Sequence, residues 1–362
     1  MIDITGEDKR LLYIQEIKNL NLPVFIWGGG YYGEIIASYL RENGVKGEFR
    51  VVVDSEYLDG NSDFLSFDEY LDKYSKNSVM IFGFYNYKII LQKKKLYGEK
   101  IAHLYDFHLT CLGKRRIEWR KSDVQNRISE YNSTWKLFED EISKRTMELY
   151  LRAAVNGEFD ELFRECYFNV SYFNDITRSL NIDTLVDCGA YDGDSIHDFV
   201  GVFKDYKKIF AFEPDTKNRE KLLNRVRSEN IDNVKVIPYG VFSKNTTLYF
   251  SNAGNSSSHI DAKGEAIQVV TIDSFFKNEA DIENLLIKMD IQGSETEALY
   301  GASQTITKYH PCITVCVHHK EYDLIDIPEY IRDLVGNDVY NYYLRFHAFD
   351  AELVFYAVPK TK

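Results

Sequence analysis

Proline is scarce in this sequence, with 6 residues among 362, and long apolar runs are absent. No run approaches the roughly 18–20 residues that a membrane-spanning helix needs. The first residues include Asp3 and Glu7 and do not form the basic and then apolar pattern of a signal peptide. Hydrophobic residues make up 44% of the chain, which excludes long disorder. We therefore expect a folded cytoplasmic protein without a membrane span, with two domains or two plus a connector.

Basic residues are fewer than acidic residues. The 44 Lys and Arg residues face 56 Asp and Glu residues, which gives a net charge of −12. Such a surface repels phosphate backbones and anionic lipids, so we expect neither nucleic acid nor a membrane surface as a partner. The one dense basic patch, Lys93–Lys95, is interpreted as the solvated face of a helix. Five cysteines form no C-x-x-C pair and are expected to be reduced core thiols: Cys111, Cys166, Cys188, Cys312 and Cys316.

Three segments of the chain differ in their patterning. Residues 1–112 and 179–362 alternate β-rich runs with helical periodicity, which is typical of α/β units, whereas residues 113–178 indicate a helical connector. The sequence of the connector contains no recognisable catalytic or ligand-binding motif. In the first segment we predict four strands, at residues 23–27, 50–54, 79–82 and 101–105.

The third segment predicts a sheet of seven strands. The last two strands, 342–346 and 353–358, are separated by a segment too short for a crossover helix, so we expect an antiparallel hairpin. Five crossover-linked strands closed by a hairpin resemble the sheet of class I methyltransferases. The five strands before the hairpin are expected at residues 184–189, 208–212, 234–237, 285–289 and 313–317.

The loops at the carboxyl ends of these strands are where an open α/β sheet binds its ligands. The first loop combines Gly189 with Asp192 and Asp194, and these carboxylates would repel a pyrophosphate but suit an ammonium and a sulfonium. The pattern therefore favours S-adenosylmethionine over NAD. Glu213 follows Gly189 by 24 residues, close to the offset of an acid that accepts both ribose hydroxyls. The alternative is that these residues are turn glycines and a helix-capping acid.

The fourth and fifth strands end in further polar residues. Asp290 precedes a glycine turn and a helix that starts around Ser294, which could be an ordinary N-cap. The fifth strand ends at His318 and His319, and a histidine at this edge could supply a base or a metal ligand. A solvated strand end is the competing interpretation.

With these residues in place, the carboxy-terminal half resembles the FkbM-type S-adenosylmethionine-dependent methyltransferases. The order and spacing match over roughly residues 170–362, and Tyr343–His347 with Phe355–Val358 looks like that family's closing hairpin. The resemblance implies O-methylation, often of sugars in surface glycans or natural products, and so a role in polysaccharide biosynthesis. The motifs that carry it are Val186–Asp194, Phe212–Pro214, Val270–Asp273, Lys288–Glu295 and His319–Leu324.

S-adenosylmethionine as methyl donor gives each strand-end residue an expected role. Glu213, with Pro214, should border the ribose, and Gly240 should pass beside the adenine or the methionine moiety. Asp290 should lie nearest the transferred methyl. His319 is the leading candidate for the general base and Glu295 the second. The first loop is expected to surround the methionine part through Asp187, Gly189, Ala190, Tyr191, Asp192 and Gly193.

Other assignments at this edge stay open. His318, His259 and His347 could approach the same position as the base. A divalent metal beside Asp290 is a further alternative, although no metal ligand is assigned. Gln292 stands where many FkbM members carry Glu, which weakens a metal or base role at that position.

The amino-terminal segment carries a second motif. Gly28, Gly30 and Gly33 fit G-x-G-x-x-G between a strand and a helix, and Asp54 ends the next strand. The motif resembles the small Rossmann-like domains of sugar-modifying enzymes and predicts a nucleotide or nucleotide-sugar. The competing interpretation is a fold used for dimerisation, as in a homodimer, or for presenting a small-molecule or glycan acceptor.

Two other functional classes are therefore weighed against the methyltransferase. A nucleotide-sugar oxidoreductase or epimerase would use the glycine loop, but residues 34–178 contain no clear Tyr-x-x-x-Lys pair on a suitably placed helix. A non-catalytic nucleotide-binding scaffold is the other alternative.

Overall fold

The structure of the protein is a computed structural model. It describes residues 1–58, 63–84, 86–107, 121–251, 259–260, 265–277, 279, 282–347 and 352–360. Cys111 and the predicted boundary at 112 lie outside these residues, and so does the turn of the closing hairpin.

The amino-terminal segment forms a parallel five-stranded sheet in the order β3-β2-β1-β4-β5. This order is that of a Rossmann-like fold, as predicted. Strand β3 was not predicted, because three residues are too few to show a periodicity. The elements are α1 (Lys9–Leu20), β1 (Val24–Trp27), α2 (Tyr31–Glu42), β2 (Phe49–Val53), β3 (Phe64–Ser66), α3 (Phe67–Lys73), β4 (Val79–Phe82), α4 (Tyr87–Tyr97) and β5 (His103–Asp106). A 3₁₀ turn at Ser55–Tyr57 follows β2.

Residues 121–166 of the connector form four helices, as their periodicity predicts, whereas residues 167–178 form bends and turns without a helix. Asp140 caps α7 by accepting a hydrogen bond from the Ser143 backbone N–H at 2.8 Å, and Gly157 ends the helix in the left-handed conformation. The helices are α5 (Lys121–Asn126), α6 (Ile128–Leu137), α7 (Glu141–Asn156) and α8 (Phe159–Cys166).

The carboxy-terminal segment begins with seven strands and three helices. They are β6 (Thr184–Cys188), α9 (Asp194–Val202), β7 (Lys208–Phe212), α10 (Thr216–Ser228), β8 (Val234–Ile237), β9 (Gly240–Val241), β10 (Thr246–Ser251), β11 (His259–Ile260), β12 (Glu265–Val270) and α11 (Ile272–Phe276). The remaining elements are β13 (Leu285–Met289), α12 (Glu295–Tyr300), α13 (Ser303–Tyr309), β14 (Cys312–Cys316), α14 (Asp323–Val335), β15 (Tyr340–His347) and β16 (Glu352–Pro359).

Seven of these strands form one sheet in the order β15-β16-β14-β13-β6-β7-β8. Strands β6, β7, β8, β13 and β14 run parallel, and β15 and β16 form an antiparallel pair at one edge. The predicted seven-stranded, class I methyltransferase fold is confirmed. Strands β6, β13 and β14 are buried along their whole length, which is why they appear in the sequence as continuous apolar runs.

A second sheet of four strands, in the order β11-β10-β12-β9, was not predicted. Gly240 was expected at the end of the third strand, but it begins β9 and pairs with Val269 of β12. The pairing of β9 with β12 joins residues about 30 apart in sequence, and β9 has only two residues, so local periodicity gives no signal for it.

The connector packs directly on the closing hairpin. The Leu344 backbone N–H donates to Ser143 Oγ at 2.9 Å, and the buried guanidinium of Arg345 pairs with Asp140 at 2.7 Å and Asp175 at 2.9 Å. Four cysteines are free and buried, as expected: Cys166, Cys188, Cys312 and Cys316. Within the described ranges, no helix combines the length and the apolarity that crossing a membrane requires.

Candidate active site

A cavity of about 690 Å³ lies at the carboxyl ends of β6, β7 and β13. This is the edge where the sequence predicts a ligand. Of the predicted site residues, six line the cavity: Gly189, Tyr191, Glu213, Pro214, Gly240 and Asp290. The apolar side chains of Leu248, Ile267 and Val269, from the second sheet, line it too.

Gly189 directly follows β6 and has a conformation that only glycine adopts readily. Its φ is +82°, and a Cβ there would lie 2.0 Å from the backbone oxygen of Asp290. The loops after β6 and β13 therefore pass each other in backbone contact. The carbonyl of Gly189 accepts a hydrogen bond from Lys288 Nζ at 2.8 Å, which fixes the floor of the cavity.

Asp187 lies behind the cavity wall. Its carboxylate is fully buried, lies 3.0 Å from Lys288 Nζ and accepts a hydrogen bond from Ser195 Oγ. Burial alone would lower the pKa of Lys288, but the nearby carboxylates of Asp187 and Asp290 raise it above its ordinary value. Lys288 is therefore charged, and Asp187 serves to neutralise it.

Three other residues expected around the methionine part also lie outside the cavity lining. Ala190 is fully buried in the core. Gly193 lets α9 approach α10, since a Cβ there would lie 2.8 Å from Leu222 Cδ1. The Asp192 carboxylate pairs with Arg225 at 2.9 Å. Asp194, two residues on, lines the cavity instead.

Glu213 joins the loops after β6 and β7. One carboxylate oxygen accepts the Tyr191 backbone N–H at 2.9 Å and the other accepts the Asp215 N–H at 2.8 Å. Burial raises the pKa of Glu213 to about 7, although these two hydrogen bonds lower it. Asn218 on α10 also lines the cavity, and its buried Oδ1 has no hydrogen-bond partner among the described residues.

Asp290 contacts a residue that the sequence did not associate with it. Tyr172 OH donates to Asp290 Oδ2 at 3.0 Å, across 118 positions of the chain. Burial would raise the pKa of Asp290, but the positive charges of Lys288 and His319 hold it below its usual value. Tyr172 lies within the connector, residues 113–178, so a segment whose sequence showed no catalytic or binding motif supplies a tyrosine to the site.

His319 lies between two carboxylates. Its Nδ1 is 2.9 Å from Glu295 Oε1 and its Nε2 is 3.6 Å from Asp290 Oδ1. Burial would lower the pKa of His319, but Glu295 raises it to about 9. The ring is therefore protonated at neutral pH and has no free lone pair, which is the wrong state for the expected general base. His319 also does not line the cavity.

The other histidines considered as bases are held differently. Burial lowers the pKa values of His318 and His347 to about 4, so both rings are neutral. His318 Nδ1 lies 3.2 Å from the Leu353 N–H, and His347 lies between the Phe168 carbonyl and Tyr356 OH, at 3.1 and 3.2 Å. The side chain of His259 lies outside the described residues.

Three of these groups could surround a cation. Asp290, Glu295 and His319 each offer one ligand atom, and these atoms lie within 4.8 Å of one another. The two imidazole nitrogens, however, face different carboxylates, so an ion bound here would have to replace one of the two ion pairs.

The amino-terminal glycine loop has the local geometry of a Rossmann turn. A Cβ at Gly33 would lie 2.3 Å from the Gly28 oxygen, and a Cβ at Gly28 would lie 2.6 Å from the Gly83 oxygen, so β1, α2 and β4 meet in backbone contact. A Cβ at Gly30 would meet nothing within 4 Å, and the start of α2 is open there.

Asp54, the acid that the sequence analysis placed at the end of the next strand, is engaged within the protein. The Asp54 carboxylate accepts from Trp27 Nε1 at 3.1 Å and pairs with Lys93 at 2.8 Å. Lys94 pairs with Asp106 at 2.6 Å, so the basic patch on α4 is largely neutralised and not simply solvated as predicted. Nucleotide binding by this loop stays a prediction.

Comparison with known proteins agrees with this geometry. Residues 187–339 match the family model described as the methyltransferase FkbM domain. The fold resembles that of a methyltransferase FkbM from Methylobacillus flagellatus KT, with a TM-score of 0.72 and 22% identity over 95% of this chain and 93% of that chain. That similarity includes the amino-terminal sheet and the connector. No curated protein matches the chain.

More distant similarities cover about half of the chain. An rRNA methylase from Streptococcus thermophilus aligns with 51% of this chain and 89% of its own, at 13% identity and a TM-score of 0.32. Fibrillarin from Aeropyrum pernix aligns with 49% and 67%, at 9% identity and a TM-score of 0.32. The range that matches the FkbM family model, residues 187–339, lies within the carboxy-terminal segment that forms the seven-stranded sheet.

Proposed function

We propose that the chain is an S-adenosylmethionine-dependent O-methyltransferase that acts on a hydroxyl of a sugar, in a glycan or a natural-product precursor. The observation that carries the proposal is Glu213, whose buried carboxylate joins the first two strand-end loops at the cavity wall. The FkbM family match supports methyl transfer as the reaction. We further propose that the methyltransferase domain begins near residue 179, after a connector from residue 113.

The residues around the cavity fit the cofactor. Each Glu213 oxygen accepts one backbone N–H and keeps a lone pair for a ribose hydroxyl. Asn218 Oδ1 is a buried acceptor with no partner in the part of the chain that the structure describes, which suits a hydroxyl or amino donor of the nucleoside. Leu248, Ile267 and Val269 offer an apolar surface to the adenine ring. Asp194, facing the cavity, suits the positive charge of the methionine moiety.

Asp290 is the group that we assign to the acceptor hydroxyl. When bound, S-adenosylmethionine supplies a methyl group made electrophilic by its sulfonium. Asp290 would orient the acceptor oxygen in line with that methyl group and take up the hydroxyl proton as the new O–C bond forms and the methyl–sulfur bond breaks, which leaves neutral S-adenosylhomocysteine. Tyr172 holds one Asp290 oxygen, and the protonated His319 lies beside the other, so the carboxylate has a fixed orientation.

His319 and Glu295 then act as positioning residues. Glu295 keeps His319 charged, and His319 in turn keeps Asp290 ionised. The general-base role that the sequence analysis gave to His319 thus passes to Asp290 in this proposal. Most of the rate would come from holding the acceptor at about 3–3.5 Å from the methyl group, since a low-pKa carboxylate is a weak base.

The proposal is tested by calorimetric binding of S-adenosylhomocysteine to the purified protein. We expect Glu213→Gln to weaken binding by about tenfold, because the ribose loses charge-assisted hydrogen bonds. Glu220→Gln, an exposed change on α10, is the matched control and should bind like the wild type. Wild-type protein that does not bind the ligand, or a Glu213 variant that binds it equally well, would contradict the proposal.

A further inference from the structure

The cavity has a second end, away from the loops that we assign to the cofactor. That end is lined by the segment Tyr167–Tyr172, by Glu352 of the closing hairpin, and by Lys88 of α4. Asp290, bonded to Tyr172, lies between the two ends. If the cofactor occupies the first end, as the proposed function requires, the second end is where the methyl acceptor must lie.

Lys88 has different neighbours from Lys93 and Lys94, two other lysines of α4. Lys93 and Lys94 are paired with Asp54 and Asp106. The Lys88 ammonium instead lies 3.1 Å from the neutral Asn169 Oδ1 and 4.7 Å from the centre of the Tyr167 ring. Among the described residues, no carboxylate lies within 4.0 Å of it, so its charge is not compensated by an ion pair.

The side chains around Lys88 are held by hydrogen bonds to one another. Tyr167 OH donates to the same Asn169 oxygen at 2.8 Å, which fixes the amide and presents the aromatic ring beside the ammonium. An aromatic ring, an amide and a carboxylate such as Glu352 are the groups that recognise the faces and hydroxyls of sugars. Glu352 is hydrogen-bonded to Ser171 Oγ at 3.3 Å on the hairpin side of the cavity.

The two ends of the cavity therefore differ in charge. The cofactor end carries Asp194, Asp198 and Glu213, which suits a cation. The acceptor end carries the carboxylate of Glu352 and also the Lys88 ammonium, which forms no ion pair among the described residues of a protein whose net charge is −12. A cation that stays unpaired at a ligand-facing position of such an acidic chain is suited to an anionic group on the ligand.

We propose that the methyl acceptor is an anionic sugar, bearing a phosphate or a carboxylate, and that Lys88 of the amino-terminal segment binds the anionic group. This inference rests on the proposed methyltransferase function. It gives the amino-terminal segment a part in acceptor binding through α4, at a position distinct from the glycine loop after β1. The methylated hydroxyl lies at Asp290 and the anion at Lys88, so both parts of the chain are required for one substrate.

The test uses the full-length protein saturated with S-adenosylhomocysteine. Binding of glucose 1-phosphate, UDP-glucose, glucuronic acid and the neutral methyl glucoside is measured by calorimetry. We expect at least one anionic probe to bind more tightly than the neutral glycoside, and which one binds distinguishes phosphate from carboxylate. Its affinity should fall as salt is raised, because the contact is ionic.

Variants of α4 then identify the contact. Lys88→Ala should weaken binding of the preferred anionic probe by about tenfold, and Lys88→Arg should retain it. Lys95→Ala, an exposed lysine of the same helix outside the cavity lining, is the matched control and should bind as the wild type does. S-adenosylhomocysteine affinity should be the same in all four proteins.

The inference is overturned if no anionic probe binds the saturated protein, if the neutral glycoside binds as tightly as the anionic ones, or if Lys88→Ala has no effect. In each of these cases S-adenosylhomocysteine still binds, so the result contradicts the anionic acceptor and leaves the proposed methyltransferase function uncontradicted. If S-adenosylhomocysteine itself does not bind, both proposals fail together.

Discussion

The ammonium of Lys288 and the carboxylate of Asp187 form a buried ion pair at 3.0 Å. Their side chains are 4% and 0% exposed, and the two residues are direct register partners on the adjacent strands β13 and β6. Lys288 also donates to the Gly189 carbonyl. The pair therefore links the two central strands to the turn that forms the cavity floor.

Breaking this pair should destabilise the whole domain. We expect Lys288→Met to lower the free energy of unfolding by about 3–5 kcal/mol, because it leaves Asp187 buried without its counter-charge. Urea denaturation measures the effect. The control is Lys73→Met, which breaks the exposed Lys73–Glu69 pair and should have a much smaller effect, because solvent screens that pair. Equal effects in the two variants would show that the buried pair contributes nothing specific.

The Lys288–Asp187 pair also shows where the sequence stops being informative. Parallel strands end at one edge of a sheet, so the gathering of Glu213 and Asp290 at the cavity could be predicted from strand order alone. Asp187 lies inside its strand, with Cys188 between it and the turn, and only the strand register shows that its side chain meets Lys288. Asp192 and Asp194 likewise differ in direction, which the shape of the turn decides.

Contacts between distant segments could not be predicted from the sequence, for a different reason. Tyr172 reaches Asp290 because the connector packs against the seven-stranded sheet, and Lys88 reaches Asn169 because α4 packs against the connector. Such packing is set by the complementarity of whole surfaces and leaves no local periodicity to detect. The charge state of His319 has the same origin, since it depends on Glu295, which follows a different strand of the sheet.

The two acids of the first loop should differ in their effects on cofactor binding. Asp194→Asn should weaken S-adenosylhomocysteine binding by up to about tenfold, since a carboxylate facing the ligand cation is lost. Asp192→Asn should leave binding nearly unchanged and cost about 1 kcal/mol or less of stability, because it removes only the partly exposed pair with Arg225. Calorimetry and urea denaturation on both variants measure these effects. If Asp192→Asn weakens binding more than Asp194→Asn does, Asp192 is the residue that contacts the ligand.

Cofactor affinity should depend on the ionisation of Glu213. Its pKa of about 7 lies above the ordinary value, so the carboxylate becomes protonated as the pH falls below neutrality. A protonated carboxyl is a poorer acceptor for ribose hydroxyls, and affinity for S-adenosylhomocysteine should fall by up to about tenfold per pH unit below about pH 7. Glu213→Gln should bind more weakly but without this slope. A slope that persists in the variant would assign the titration to another group.

Removal of divalent metal should leave the reaction intact. Each nitrogen of His319 already faces a different carboxylate, so a cation at Asp290, Glu295 and His319 would have to displace an ion pair. We therefore expect methyl transfer to survive dialysis against EDTA and to gain nothing from added Mg²⁺ or Mn²⁺. Activity that is lost with EDTA and restored by one of these ions would instead establish a metal site at the cluster.

Stability should fall with rising pH through the titration of His319. Its pKa is about 9 in the folded protein, against about 6.5 for an ordinary histidine. A raised histidine pKa stabilises the folded state fully below about pH 6.5, and this contribution is lost as the pH rises through about 9.

The shift corresponds to a loss on the order of 3 kcal/mol in the free energy of unfolding over this range. Urea denaturation at several pH values measures it. His319→Gln removes the titrating group, and Glu295→Gln removes the charge that raises its pKa, so both variants should have a flatter profile than the wild type between pH 6.5 and 9. A wild-type profile that is already flat would mean that His319 is neutral in the folded protein, and it would restore this residue as a general base.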